Sequence, residues 1–142
     1  MTIAYETDNI FARIIDGNIP SHKVYEDANF LAIMDVFPQS RGHVLVLPKR
    51  PSRNLLDADP AVLASVLPMV QRIAKALVKV TGADGFRVVQ FNEASAGQSV
   101  FHLHFHIIPA YEGKEIGKHG AGGKADDADL ATMAKAIAVE LV

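Results

Sequence analysis

Apolar and polar residues alternate most sharply between positions 100 and 108. On an extended chain successive side chains point to opposite faces. Leu103, Phe105 and Ile107 therefore share one face, and His102, His104 and His106 share the other. This is the fifth and longest of five predicted strands. The others cover residues 22–26, 30–36, 43–47 and 86–92, rich in β-branched and aromatic residues and bounded by turn residues such as Asp27-Ala28-Asn29. Between the third and fourth strands the period becomes helical. Val62, Val66, Val70, Ile73, Leu77 and Val80 recur at helical spacing after the cap-and-proline pair Asp59-Pro60, and Gly82 closes the run. Pro68 lies inside this run and predicts a kink or a break. A short helix is predicted over residues 9–16, with Asp8 as its cap and Gly17 as its stop. A last helix over 126–141 starts at Asp126 or Asp127 and buries Leu130, Met133, Ala134, Ile137 and Leu141. Residues 113–123 read as a mobile glycine-rich loop. Strands with one long helix inserted among them predict an α+β fold on an antiparallel sheet. Neither a repeat nor a linker divides residues 1–142, which read as a single domain.

Composition narrows the chemistry. A chain of 142 residues, 49% hydrophobic and 21% charged, has an ordinary globular make-up. A net charge of -2 argues against binding nucleic acid by bulk electrostatics, but leaves room for a small anion held by a few donors. The chain has no cysteine, so disulfides, thiolate nucleophiles and thiolate zinc sites are excluded. The first residues show no signal-peptide pattern, and no apolar run of roughly 18 residues predicts a membrane span. The default expectation is a cytoplasmic protein without a membrane or nucleic-acid partner.

Three of the six histidines fall within residues 102–106, and three readings compete for them. They could be a polar strand face, although histidine is not a favoured strand residue. They could bind metal, but alternate strand residues stand roughly 6.8 Å apart. Zinc needs its nitrogen ligands within about 2.1 Å, so an outside ligand such as His43 would have to join. Or they could work on a phosphate: a neutral imidazole with a pKa near 6.5 is a nucleophile at neutral pH. The preceding Ala96-Gly97-Gln98-Ser99 supports this reading, being small enough for backbone N–H groups to approach an anion.

The run His102-Leu103-His104-Phe105-His106-Ile107-Ile108 resembles the signature of the histidine triad family. The resemblance extends over about residues 5–112. It includes the segment from Asp8 to Ile15, Ile19-Pro20, Lys23-Val24-Tyr25-Glu26 and Leu31-Ala32 before Asp35. It continues through the segment from Gly42 to Lys49 and Val89-Gln90-Phe91-Asn92. The family implies a five-stranded antiparallel sheet with a long helix, and a homodimer that joins two sheets. It implies a purine nucleotide or nucleotide conjugate as ligand, and cleavage at the α-phosphorus, often of a P–N bond, through a nucleotidyl-histidine.

By position, His104 would be the nucleophile, His106 and Ser99 would hold phosphate oxygens, and His102 and His43 would support them. Asn92, Gly97 and Gln98 would complete the phosphate cradle, and Asp35 would accept from the ribose hydroxyls. Ile10, Phe11, Ile33 and Val36 would form the slot for the base. His22 and His119 match no functional position and read as surface residues.

Many bacterial relatives carry a structural zinc on two cysteines and two histidines. Here three of those positions are Asn9, Ala12 and Pro51, and His102 alone remains. The expectation is a protein with no metal and no cofactor. Three activities remain in competition. The favoured one is a nucleoside phosphoramidate hydrolase. The others are a hydrolase or transferase with a different leaving group, such as a dinucleoside polyphosphate, and a non-catalytic nucleotide-binding module.

Overall fold

The computed structural model describes residues 4–120 and 122–141. Five strands, β1 (Lys23–Glu26), β2 (Phe30–Met34), β3 (Val44–Pro48), β4 (Gly85–Val89) and β5 (Phe105–Ala110), form one sheet. Its order is β1-β2-β3-β5-β4, and every neighbouring pair is antiparallel. The helices are α1 (Ile10–Ile15), α2 (Pro60–Thr81) and α3 (Asp127–Val139).

Strand alternation divides the interior in two. Phe30, Ala32, Met34, Val44, Val46, Phe105 and Ile107 face α2 and α3 and pack on Val66, Val70, Ile73, Leu77, Met133 and Ile137. Leu31, Ile33, Leu45 and Leu47 face the other way and pack on Phe11 and Ile14 of α1. Burying a side chain of this size stabilises the fold by about 1.5–3 kcal/mol, so both faces of the central strands are fixed in register. α2 is long and apolar enough to cross a membrane, but its apolar stripe is spent on the sheet.

Several predicted boundaries shift, each for a local reason. Asn9, not Asp8, caps α1: its side chain accepts from the Ala12 amide, while Asp8 pairs with Arg13. Pro68 does not break α2, which is continuous. Pro68 and Ala64 are both exposed, so water can serve the carbonyl that proline leaves without a donor. The fifth strand starts at Phe105 rather than at 100. Its partner β3 ends at Pro48, which has no N–H to continue a ladder, and the Pro48 carbonyl bonds to the His102 ring instead. The final helix agrees with the periodicity, and all five residues of its expected stripe are buried.

Gly42 sets the approach of the β2–β3 loop to α2. Its φ is +93°, and an added Cβ would stand 2.9 Å from Thr81 Cγ2. Only glycine meets both conditions. The turn it allows delivers His43 to the sheet face opposite α2.

Candidate active site

Four buried histidines meet on the α1 face of the sheet: His43 just before β3, His106 on β5, and His102 and His104 on the extended lead-in to β5. The His104 and His106 ring centroids are 5.0 Å apart, and the Phe11 and His104 centroids are 4.8 Å apart in a T-shaped contact.

The hydrogen bonds fix the tautomer of each ring. A backbone N–H can only donate and a carbonyl can only accept. The Gln39 amide donates to His43 Nδ1 (3.0 Å), so the proton of neutral His43 sits on Nε2. That N–H points to His106 Nδ1 (2.9 Å), which leaves the His106 proton on Nε2. His104 Nδ1 lies 2.7 Å from the His102 carbonyl and must carry a proton, so its Nε2 keeps a lone pair. His102 donates from Nε2 to the Pro48 carbonyl and accepts the Tyr5 hydroxyl at Nδ1, both at 2.7 Å.

Among the described residues, no buried side-chain nitrogen or oxygen lacks a partner. His104 Nε2 and His106 Nε2 make no hydrogen bond with any described residue, so both atoms reach solvent. The site thus presents a nucleophilic lone pair beside an N–H donor. Burial lowers the pKa of His104 to about 4, against the upward pull of its bond to the His102 carbonyl. Burial, then the neighbouring His104, His43 and His119 rings, lower His106 to about 3. Burial also lowers His43, against the upward pull of Asp35, and lowers His102. All four rings are therefore neutral at pH 7, in agreement with the tautomers.

The loop before the triad is held from behind. Gln98 is buried, and its side chain is fully used: Oε1 accepts from Asn54 and from the Glu93 amide, while Nε2 donates to the Arg53 and Val100 carbonyls. Arg53 makes a bidentate pair with Glu93 at 2.9 Å. Gln98 therefore braces the loop rather than extending its amide to a phosphate, a correction to the sequence reading. Asn92 is likewise engaged, accepting from the Leu55 amide and pairing with Gln90. Gly97 has φ +106°, and an added Cβ would meet the Phe91 ring at 3.3 Å. Ser99 is exposed, and neither its hydroxyl nor its amide has a hydrogen-bond partner among the described residues.

Phe11 and Ile33 pack together on the histidine side of the sheet. Ile10 is 48% exposed. Val36 packs with the α2 and α3 core instead, the side that Phe30, Ala32 and Met34, six, four and two residues earlier, also face. It thus stands apart from Phe11 and Ile33. A cavity of about 480 Å³ that touches His43 is lined by Met34, Leu130 and Met133, so it lies on the helix side, behind the histidines.

The HIT domain model matches residues 16–113. The chain is 43% identical to adenylylsulfatase HINT3 of Arabidopsis thaliana over 75% of its own length, and spans 54% of that protein. It is 40% identical to adenosine 5'-monophosphoramidase hnt1 of Schizosaccharomyces pombe, over 70% of this chain and 72% of that one. A HIT-like protein of Bartonella henselae, described as involved in cell-cycle regulation and solved with an unknown ligand, superposes with a TM-score of 0.91. Its identity is 50%, over 98% of this chain and 100% of that one. The chain belongs to the HIT domain family.

As a HIT protein it departs from the zinc-bearing pattern, and the bonds show what stands there instead. The Tyr5 hydroxyl accepts from Asn9 Nδ2 and donates to His102 Nδ1. Asn9 Oδ1 caps α1, and His102 Nε2 is spent on Pro48. Neither His102 nitrogen keeps a free lone pair, and Ala12 and Pro51 offer no side-chain donor, so a structural zinc does not fit. Tyr5→Phe should then lower stability by about 1–2 kcal/mol, because buried His102 and half-buried Asn9 lose their bond. A chelator should leave the melting temperature unchanged. Both are read by thermal unfolding, and stoichiometric zinc in protein purified without added metal would contradict the assignment.

A second metal possibility also fails on chemistry. Asp35, His43 and His106 bring ligand atoms within 4.8 Å of one another. The Gln39 N–H occupies the Nδ1 lone pair of His43, so Nε2 is protonated and cannot ligate. A metal-bound histidine has the reverse arrangement, with its second nitrogen donating outward.

One residue read as surface belongs to this HIT site. His119 Nε2 bonds to Asp35 Oδ2 at 3.1 Å, and its ring stands 6.2 Å from His106. It lies 84 positions from Asp35 in the chain, and no local pattern marks it. His22 is not in the cluster: it pairs with Asp127 at 3.3 Å.

Proposed function

We propose that this HIT protein is a purine nucleotide hydrolase acting at the α-phosphorus, with the P–N bond of a nucleoside 5'-phosphoramidate as its substrate bond. The reading rests on one observation above all: the free lone pair of His104 Nε2 stands beside the free N–H of His106 Nε2. In the first step His104 Nε2 bonds to phosphorus as the P–N bond breaks. The leaving nitrogen keeps the bonding pair and takes a proton from the His106 or Ser99 side. Water then cleaves the nucleotidyl-histidine, releasing the nucleoside monophosphate and restoring the imidazole. The neutral state of His104 suits attack at pH 7. The N–H of His106 and the amide and hydroxyl of Ser99 suit the oxyanion. Asp35 would receive the ribose hydroxyls, and Phe11 and Ile33 would border the base, with Ile10 at the rim.

The fission yeast relative, named for adenosine 5'-monophosphoramidase activity, favours the P–N bond. The Arabidopsis relative, named for adenylylsulfatase activity, favours a second reading with an oxyacid leaving group on the same nucleophile. Comparing initial rates on the two substrates separates them. A homodimer is part of the proposal. β4 is an edge strand, and Phe86, Val88 and the nearby Leu67 of α2 are exposed apolar residues suited to a second sheet. A cytoplasmic place of action belongs to the same reading.

The direct test is mass spectrometry of protein quenched during turnover of adenosine 5'-monophosphoramidate. The expected result is a nucleotidyl adduct on the peptide holding residues 102–106, located at His104. A covalent nucleotide located on another residue would rule out His104 as the nucleophile, and inversion of configuration at a chiral phosphorus would rule the covalent route out.

A further inference from the structure

The carboxylate assigned to the ribose is already occupied by the protein itself. Asp35 Oδ1 accepts the Phe37 amide at 2.8 Å. Oδ2 accepts His119 Nε2–H at 3.1 Å and stands 3.5 Å from His43 Nε2. The Asp35 side chain is only 5% exposed, whereas that of His119 is 46% exposed. A ribose offers two neighbouring hydroxyl donors, and each oxygen of this buried carboxylate already accepts a bond from the protein.

The placement of His119 is built rather than incidental. Gly117 and Gln39 exchange two hydrogen bonds: the Gly117 amide donates to the Gln39 carbonyl at 3.0 Å, and Gln39 Nε2 donates to the Gly117 carbonyl at 2.9 Å. The amide of the same Gln39 fixes the His43 tautomer. Two residues beyond the anchor, His119 turns its ring edge-on to both His43 and His106. Gly120 follows with φ +79°, a conformation that glycine adopts without strain.

We propose that His119 is a ligand-discriminating residue of the nucleotide site. In the free protein its imidazole takes the ribose-facing oxygen of Asp35, and a bound ribonucleotide displaces it. This rests on the nucleotide reading above and adds a competition to it. A diol replaces one donor with two and can win the carboxylate. A ligand without ribose hydroxyls gains nothing at Asp35 and leaves His119 in place. His119 thus weakens every ligand that uses Asp35 and none that does not.

The test is a calorimetric titration of wild type and His119→Ala with AMP and with 2',3'-dideoxyadenosine 5'-monophosphate. Removing the imidazole should tighten AMP binding by roughly threefold to tenfold, the worth of one exposed charge-assisted hydrogen bond. Binding of the dideoxy nucleotide should not change. In the wild type, the His119 imidazole resonances, assigned by their loss in the variant, should move on saturation with AMP and stay in place with the dideoxy nucleotide. His119 is half exposed, so the variant should fold, and matched melting curves check this. AMP binding that is equal or weaker in His119→Ala, or His119 resonances indifferent to AMP, would overturn this inference alone. Failure of both proteins to bind AMP would overturn the nucleotide reading and this inference with it.

Discussion

Replacing His104 with alanine should lower turnover of adenosine 5'-monophosphoramidate by roughly a thousandfold or more, the usual cost of losing a nucleophile. Three features make the expectation specific. His104 is the ring whose outward nitrogen holds a lone pair, because Nδ1–H is fixed by the His102 carbonyl. Its lowered pKa keeps that pair unprotonated at neutral pH. Its neighbours cannot substitute. His106 Nδ1 is taken by His43, so its open nitrogen carries a proton, and both nitrogens of His102 are engaged. His106→Ala should cost less, roughly a hundredfold to a thousandfold, since it removes a donor to the oxyanion and leaves the nucleophile. Nucleotide binding by His104→Ala should survive, because the proposed reading assigns base and ribose to other residues. Single-turnover kinetics of the two variants, with binding measured separately, give the ordering. If His104→Ala kept most of its activity, or His106→Ala were the more damaging, the nucleophile would be misassigned.

Acid should destabilise the fold well above the range where carboxylates titrate. His43, His102, His104 and His106 are all buried, and burial lowers the pKa of each. The unfolded chain binds these protons near pH 6.5, and the folded one does not until about pH 4 or 3 for His104 and His106. Between those limits the unfolded state holds more protons, so stability falls as pH falls. It is fully present above about pH 6.5. Each neutral buried ring contributes a slope of about 1.4 kcal/mol per pH unit within the window. His43, His104 and His106 together give a loss on the order of 5 kcal/mol between pH 6.5 and pH 5, comparable with the whole stability of many domains, and His102 adds to it in the same direction. Glu26 and Asp27, whose pKa values are also lowered, add their losses only at lower pH. Urea midpoints at pH 7, 6, 5.5 and 5 measure the slope, and His106→Asn should reduce it. A midpoint that stays level from pH 7 to pH 5 would mean these rings are not held neutral.

The strands, the long helix and the face carrying the histidines were legible in the chain because they depend on neighbours two to four residues apart. Leu103, Phe105 and Ile107 point into the core as their alternation requires, even though the regular strand begins only at Phe105. The absence of a cysteine pair was equally plain. Gln98 misled for a physical reason. A polar residue in a small-residue loop looks like an anion donor, and only its four buried bonds show that it braces the loop from within. Val36 was grouped with Ile33 by position in the resemblance, whereas its alternation with Met34 places it on the helix side.

The sequence by itself determined which face of the sheet carries the histidines, with His104 between His102 and His106, since backbone geometry imposes that order locally. Tertiary structure alone decided which nitrogen of His102 and of His106 carries the proton, and that His119 sits on Asp35. Those outcomes depend on Tyr5 meeting His102 across 97 positions, Pro48 meeting His102 across 54, and His119 meeting Asp35 across 84. A proton's position on an imidazole is set by the group facing it, and which group faces it exists only once the chain is folded.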